Sequence, residues 1–85
     1  MKLNLDRIEL KHYLMILDED ESQLIEISAL PYDIQKKDVI YSSSDTEVAT
    51  VSSNGRVRAI SSGNAIVTVS LKDGSYAAQC SVFVR

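Results

Sequence analysis

Tryptophan is absent from these 85 residues, and cysteine, histidine, proline and phenylalanine each occur once. A lone cysteine, Cys80, excludes an internal disulfide, the staple that small secreted domains often use. A lone histidine, His12, leaves no pair of His or Cys residues at the spacing of a zinc site. With only three glycines there is no glycine-rich phosphate loop. Ser61-Ser62-Gly63-Asn64 has one glycine and no following lysine. Long apolar runs are missing too. Leu14-Met15-Ile16-Leu17 is far short of the roughly 20 residues that span a bilayer, and it runs into four acids. Membrane insertion is therefore not expected. Positive charge is scarce: 9 Lys and Arg against 12 Asp and Glu give a net charge of −3. Only Lys36-Lys37 are adjacent, whereas nucleic-acid binding needs a concentrated basic patch, so no nucleic-acid partner is expected.

The length suits a single domain over 1–85. A domain of this size buries only about 60–65% of the surface its unfolded chain exposes. Little stability is left over for a catalytic cleft beside the core. The start, Met1-Lys2-Leu3-Asn4-Leu5, turns polar at Asp6-Arg7 before the apolar region of a secretory signal could form. The expectation is a chain that stays inside, or one module of a longer chain whose signal lies elsewhere.

What the sequence does hold is period-two alternation cut by turn residues. Leu3, Leu5, Ile8 and Leu10 alternate with polar residues, with a break at Asp6-Arg7 that predicts a bulge. Tyr13 to Leu17 is a short apolar run, closed by a solvated turn at Asp18-Glu19-Asp20-Glu21. Ser22 to Leu30 reads as one half-buried strand with Ile25, Ile27 and Ala29 on one face, ended by Pro31. Tyr32 to Asp38 is a polar connection anchored by Ile34. Val39 and Tyr41 begin the next strand, Ser42 to Asp45 is a turn cluster, and Val48 to Val51 is a short strand. Asn54-Gly55 is the strongest hairpin signal, a pair that accepts positive φ at both central turn positions. Val57 and Ala59 follow, then a turn at Gly63. Ala65, Val67, Val69 and Leu71 share a face, as do Ala78, Cys80, Val82 and Val84 after a turn at Lys72-Asp73-Gly74-Ser75. About seven short strands with turns every eight to twelve residues predict an all-β sandwich or barrel.

The residues able to do chemistry are few, and each has a plainer reading. Asp18 to Glu21 could offer oxygens to calcium, but successive side chains on an extended segment diverge, so a solvated turn is favoured over a metal site. His12 could serve as a base in a serine triad, yet no Gly-x-Ser-x-Gly elbow surrounds any serine. Cys80 is in phase with Val82 and Val84, which favours a buried, inert thiol. Ile66 and Phe83 fall on the polar-phase faces of their strands; a contact patch and a covered position remain equally open. No catalytic residue, cofactor or metal is expected.

The middle of the chain resembles the bacterial immunoglobulin-like domain of group 2, the module of intimin- and invasin-type surface proteins. The resemblance rests on Tyr41 followed by Ser42-Ser43-Ser44-Asp45, on Val48-Ala49-Thr50-Val51, on Ser53-Asn54-Gly55 before Val57-Arg58-Ala59, and on Gly63-Asn64-Ala65-Ile66-Val67-Thr68-Val69. Ile25 to Pro31 and Cys80 to Val84 are similar to flanking strands of the family, so the match covers nearly the whole chain. Two departures stand out. Tyr41 occupies a place where the family usually has tryptophan, and the turn at Asp18 to Glu21 lacks the family's glycine.

The resemblance implies an immunoglobulin-like β-sandwich of about seven strands in two antiparallel sheets. Tyr41, Val48, Ala49, Val51, Gly55, Val57, Ala59, Gly63, Ala65, Val67, Val69, Cys80 and Val82 would then be core and turn residues rather than a site. It also implies a noncatalytic spacer or adhesion module of a bacterial surface or secreted protein, with neighbouring domains of the same chain as partners. A module binding carbohydrate or a host protein is the alternative, with Tyr13, Tyr32 and Tyr76 as surface contacts. A domain of a bacteriophage tail or capsid, hence a virion location, is a third reading.

Overall fold

The computed structural model describes residues 8–29, 38–72, 74 and 76–85. Alternation decides its strands. In β8 (Gly63–Leu71), Ala65, Val67, Val69 and Leu71 are buried while Asn64 and Ile66 are exposed. In β9 (Ala77–Val84), Cys80, Val82 and Val84 are buried while Gln79, Ser81 and Phe83 are exposed. These two antiparallel strands form the centre of a four-stranded sheet, ordered β2 (Leu14–Leu17), β9, β8, β5 (Val39–Ser43). The other layer contains β3 (Ser22–Leu24), β7 (Arg56–Ala59) and β6 (Ala49–Val51) in that order. Alongside it, β1 (Glu9–Leu10) pairs with β4 (Ile27–Ala29).

The segment expected as one strand from Ser22 to Leu30 is interrupted. Ile25 N still donates to Gly55 O at 2.9 Å, but Glu26 O accepts from Lys11 N at 2.8 Å. The strand thus changes partner at Ile25-Glu26, from β7 to the first strand. The opening strand is divided as well: Leu10 N donates to the Tyr13 hydroxyl at 3.1 Å, and beyond it the chain joins the other sheet. Counting each divided strand once, the nine segments among the described residues reduce to the seven strands of the expected sandwich. The expected all-antiparallel pairing needs one correction, because β2 runs parallel to β9, Leu14 facing Ser81 and Leu17 facing Val84. The bulge expected at Asp6-Arg7 and the connection from Tyr32, with Ile34, lie outside the described residues.

One cluster of buried side chains fills the space between the layers. It draws Leu10, Met15, Val39, Val67, Val69, Cys80 and Val82 together with Ile25, Ala49, Val57 and Ala59. Burying each valine contributes roughly 1.5–3 kcal/mol. Ala49 and Ala59 face each other across β6 and β7 and have no exposed surface, so no larger side chain fits without displacement.

Turn chemistry departs from expectation at Asn54-Gly55. Gly55 has φ of +87°, but Asp20 is the one non-glycine with positive φ among the described residues, so Asn54 is not left-handed. Gly55 N donates to Ser52 O at 3.0 Å and Ser52 N donates to Arg56 O at 2.9 Å. The hairpin is therefore a three-residue loop with glycine at the bulge, rather than a two-residue turn. Asp20, at φ of +71°, supplies the left-handed residue in the turn that has no glycine.

Candidate functional site

Chemistry has little to work with. His12 is exposed between β1 and β2. Three serine hydroxyls are spent on the backbone: Ser28 donates to Glu9 O, Ser43 to Ala49 O and Ser61 to Glu47 O. Cys80 is fully buried, and burial pushes its thiol above the ordinary value. The acids of the first turn diverge. Asp18 pairs with Arg85 at 3.0 Å, Glu19 accepts from Ser62 N, Asp20 faces Arg58 at 3.8 Å, and Glu21 accepts from Asp18 N at 2.6 Å. Among the described residues no three His, Cys, Asp or Glu are grouped to hold a metal.

Tyr41 is half-buried at the rim of the core and lines two shallow depressions. The larger, about 400 Å³, also includes Lys11, Glu26, Ser28 and Asn54. Lys11 and Glu26 are already paired at 3.2 Å. Burial pushes the Tyr41 phenol above its ordinary value. Val51 and Gly63, placed with core and turn by sequence, are half-buried, while Val48, Gly55 and Ala65 are buried.

Of the three tyrosines read as surface contacts, Tyr13 is 53% and Tyr76 36% exposed, and Tyr32 lies outside the described residues. Tyr13 and Tyr76 are not neighbours. Tyr13 O accepts from Ser81 N, five residues along the last strand from Tyr76, which is about 16 Å of extended chain.

The apolar side chains that the structure does bring together on the surface are Leu14, Ile16, Ile66 and Phe83. Each is 41–53% exposed. The ladder puts Leu14, Ser81 and Ile66 in one row across β2, β9 and β8, and Ile16, Phe83 and Asn64 in the next. Ile66 and Phe83 are thus exposed, which alternation alone left open. Leu14 and Ile16 were hidden inside an unbroken apolar run. The signal that separates them is the phase of the buried pair, Met15 and Leu17.

Residues 6–82 match the bacterial Ig-like domain (group 2). The chain belongs to that family. Its relatives include an uncharacterized protein of Clostridium acetobutylicum, 41% identical over 56 residues, which are 65% of this chain and 14% of that protein. Another is a kappa-carrageenase of Pseudoalteromonas carrageenovora, 44% identical over 57 residues, 67% of this chain and 14% of that enzyme. The chain thus spans about one seventh of the length of either relative. Among solved structures, domains 4 and 5 of the S-layer protein SbsC align over 91% of this chain and 50% of theirs, with a TM-score of 0.74 and 19% identity. A bacterial Ig-like domain containing GH10 xylanase from termite gut aligns over 84% of this chain and 18% of its own, with a TM-score of 0.68 and 22% identity. These likenesses show the fold: an immunoglobulin-like sandwich.

Proposed function

We propose that this bacterial Ig-like domain is a noncatalytic spacer module of a longer extracellular or cell-surface protein. The observation that carries the reading is the fate of the family's recognisable residues. Ala49, Val57, Ala59, Val67, Val69 and Val82 have no exposed surface, and Gly55 and Gly63 shape turns. They hold a scaffold together, and none of them carries a side chain able to react. The likeness to parts of an S-layer protein, a carrageenase and a xylanase supports a module joined to other domains. Fold alone does not give the task, so the surface location is tested directly. Antibodies against this domain should label intact cells producing the full-length protein, or recover it from the medium. Labelling only after lysis would sink the surface reading.

An adhesion role is favoured by the exposed apolar face of Leu14, Ile16, Ile66 and Phe83. Exposed apolar patches are a mark of protein interaction sites, and Phe83 is the one aromatic ring among these four side chains. Retention of the domain on immobilised host-surface protein, lost in the Ile66→Ser/Phe83→Ser variant, would support adhesion; no retention on protein or polysaccharide leaves the spacer.

A further inference from the structure

The first-sheet edge at β2 carries features of a pairing strand. Ser81 N donates to Tyr13 O and Arg85 N to Leu17 O, so residues 13, 15 and 17 turn their backbone groups toward β9. Leu14 and Ile16 therefore aim theirs away from the sheet, where no described strand lies. Natural edges are usually blunted by shortness, lysine, proline or a bulge, and β2, at 4 residues, is short. Leu14-Met15-Ile16-Leu17 carries no lysine, proline or bulge, and its two outward residues are 52% and 53% exposed.

We propose that a second copy of this chain pairs antiparallel with β2 about a two-fold axis at Met15. The length of β2 selects this register, since centres at Leu14 or Ile16 also match outward residues but leave only one such pair within Leu14–Leu17. An antiparallel edge pair must match outward residues with outward residues, and only a centre at Met15 sets Leu14 opposite Ile16 of the second copy and Ile16 opposite Leu14. That closes four backbone hydrogen bonds and places four large apolar side chains side by side, continuous with Phe83 and Ile66. Charge agrees with the same centre. Lys11 and His12 precede the strand, and Asp18 and Glu19 follow it at equal distances from Met15. Antiparallel pairing therefore brings the basic end of one strand toward the acidic end of the other, twice, although within one copy Lys11 also pairs with Glu26 at 3.2 Å and Asp18 with Arg85 at 3.0 Å. A parallel pair would set like charges together. The result is one continuous eight-stranded sheet. Its interface is a single short edge, at the small end of interface sizes, so the dimer is weak and forms at high protein concentration.

Sedimentation equilibrium of the 85-residue chain tests this from micromolar to millimolar concentration. The mass should rise from 9.4 kDa toward twice that value. Ile16→Lys, at an exposed position that leaves the core intact, should weaken association at least tenfold. Lys11→Glu and Glu19→Lys should each weaken it severalfold, and the double swap should restore most of the loss. Hydrogen exchange should show Leu14 and Ile16 amides gaining protection with concentration, while the Met15 amide, facing β9, is unchanged. A mass fixed at 9.4 kDa overturns the proposal. So does a dimer whose Leu14 and Ile16 amides stay unprotected, or a charge swap that fails to restore association.

Discussion

The ring of Tyr41 lies so close over Gly55 that a β-carbon on the glycine would stand 2.9 Å from Tyr41 Cζ and 3.0 Å from Cε1. Real β-carbons do not approach that closely, so any side chain at 55 must push the Tyr41 ring outward. The conformation also favours glycine, since φ at Gly55 is +87°. Gly55→Ala should lower stability by about 2–4 kcal/mol, the sum of left-handed strain and a displaced ring. Urea denaturation checks it, and an unchanged midpoint would show that the loop relaxes freely.

Tyr41 itself is half-buried. Tyr41→Ala should therefore cost about 2–3 kcal/mol, below the range for a fully enclosed ring. Tyr41→Phe should be nearly neutral at pH 7, because no buried side-chain oxygen among the described residues lacks a partner and the hydroxyl reaches water at the rim. The pH dependence has a definite sign. Burial raises the phenol above its ordinary 10.0 in the folded state. The unfolded chain thus loses its proton first, and this contribution is intact below pH 10 and declines as pH rises beyond it. Stability of Tyr41→Phe should fall less steeply in that window than that of the parent chain.

Cys80 should be inert toward a thiol reagent at neutral pH in the folded chain and react fully in urea. Its side chain has no exposed surface, and burial raises the thiol above the ordinary 9.0, which suppresses the nucleophilic thiolate. Labelling at the rate of a free thiol under native conditions would mean that β9 opens far more readily than its packing implies.

Neighbours on one strand should respond in opposite ways. Val82 has no exposed surface and Phe83 is 44% exposed. Val82→Ala should cost about 2 kcal/mol and Phe83→Ala less than about 1 kcal/mol, although the phenylalanine is the larger side chain. Thermal unfolding of the two variants decides it; equal losses would place Phe83 in a core contact.

Much of the sandwich was legible in the sequence because β8 and β9 bury one face each, so period two survives in their letters. The divided strand from Ser22 to Ala29 was not. Alternation reports which face is buried and does not register a change of hydrogen-bond partner at Ile25-Glu26. The parallel pairing of β2 was invisible for a related reason: four apolar residues in a row carry no direction. At Asn54-Gly55 the dipeptide marked the turn correctly but overstated its tightness, since Ser52 closes the loop from further back. On the surface, exposure of Ile66 and Phe83 depended on whether another layer covers that face, which only the assembled sheets decide.

The most direct test of a module without chemistry is turnover by the purified chain, with circular dichroism confirming the β fold in the same sample. Polysaccharide, ester and peptide substrates should yield no product above buffer. Product formation abolished by His12→Ala or Cys80→Ser would contradict the account, because it would put a working site where the structure holds an exposed loop histidine and a buried thiol.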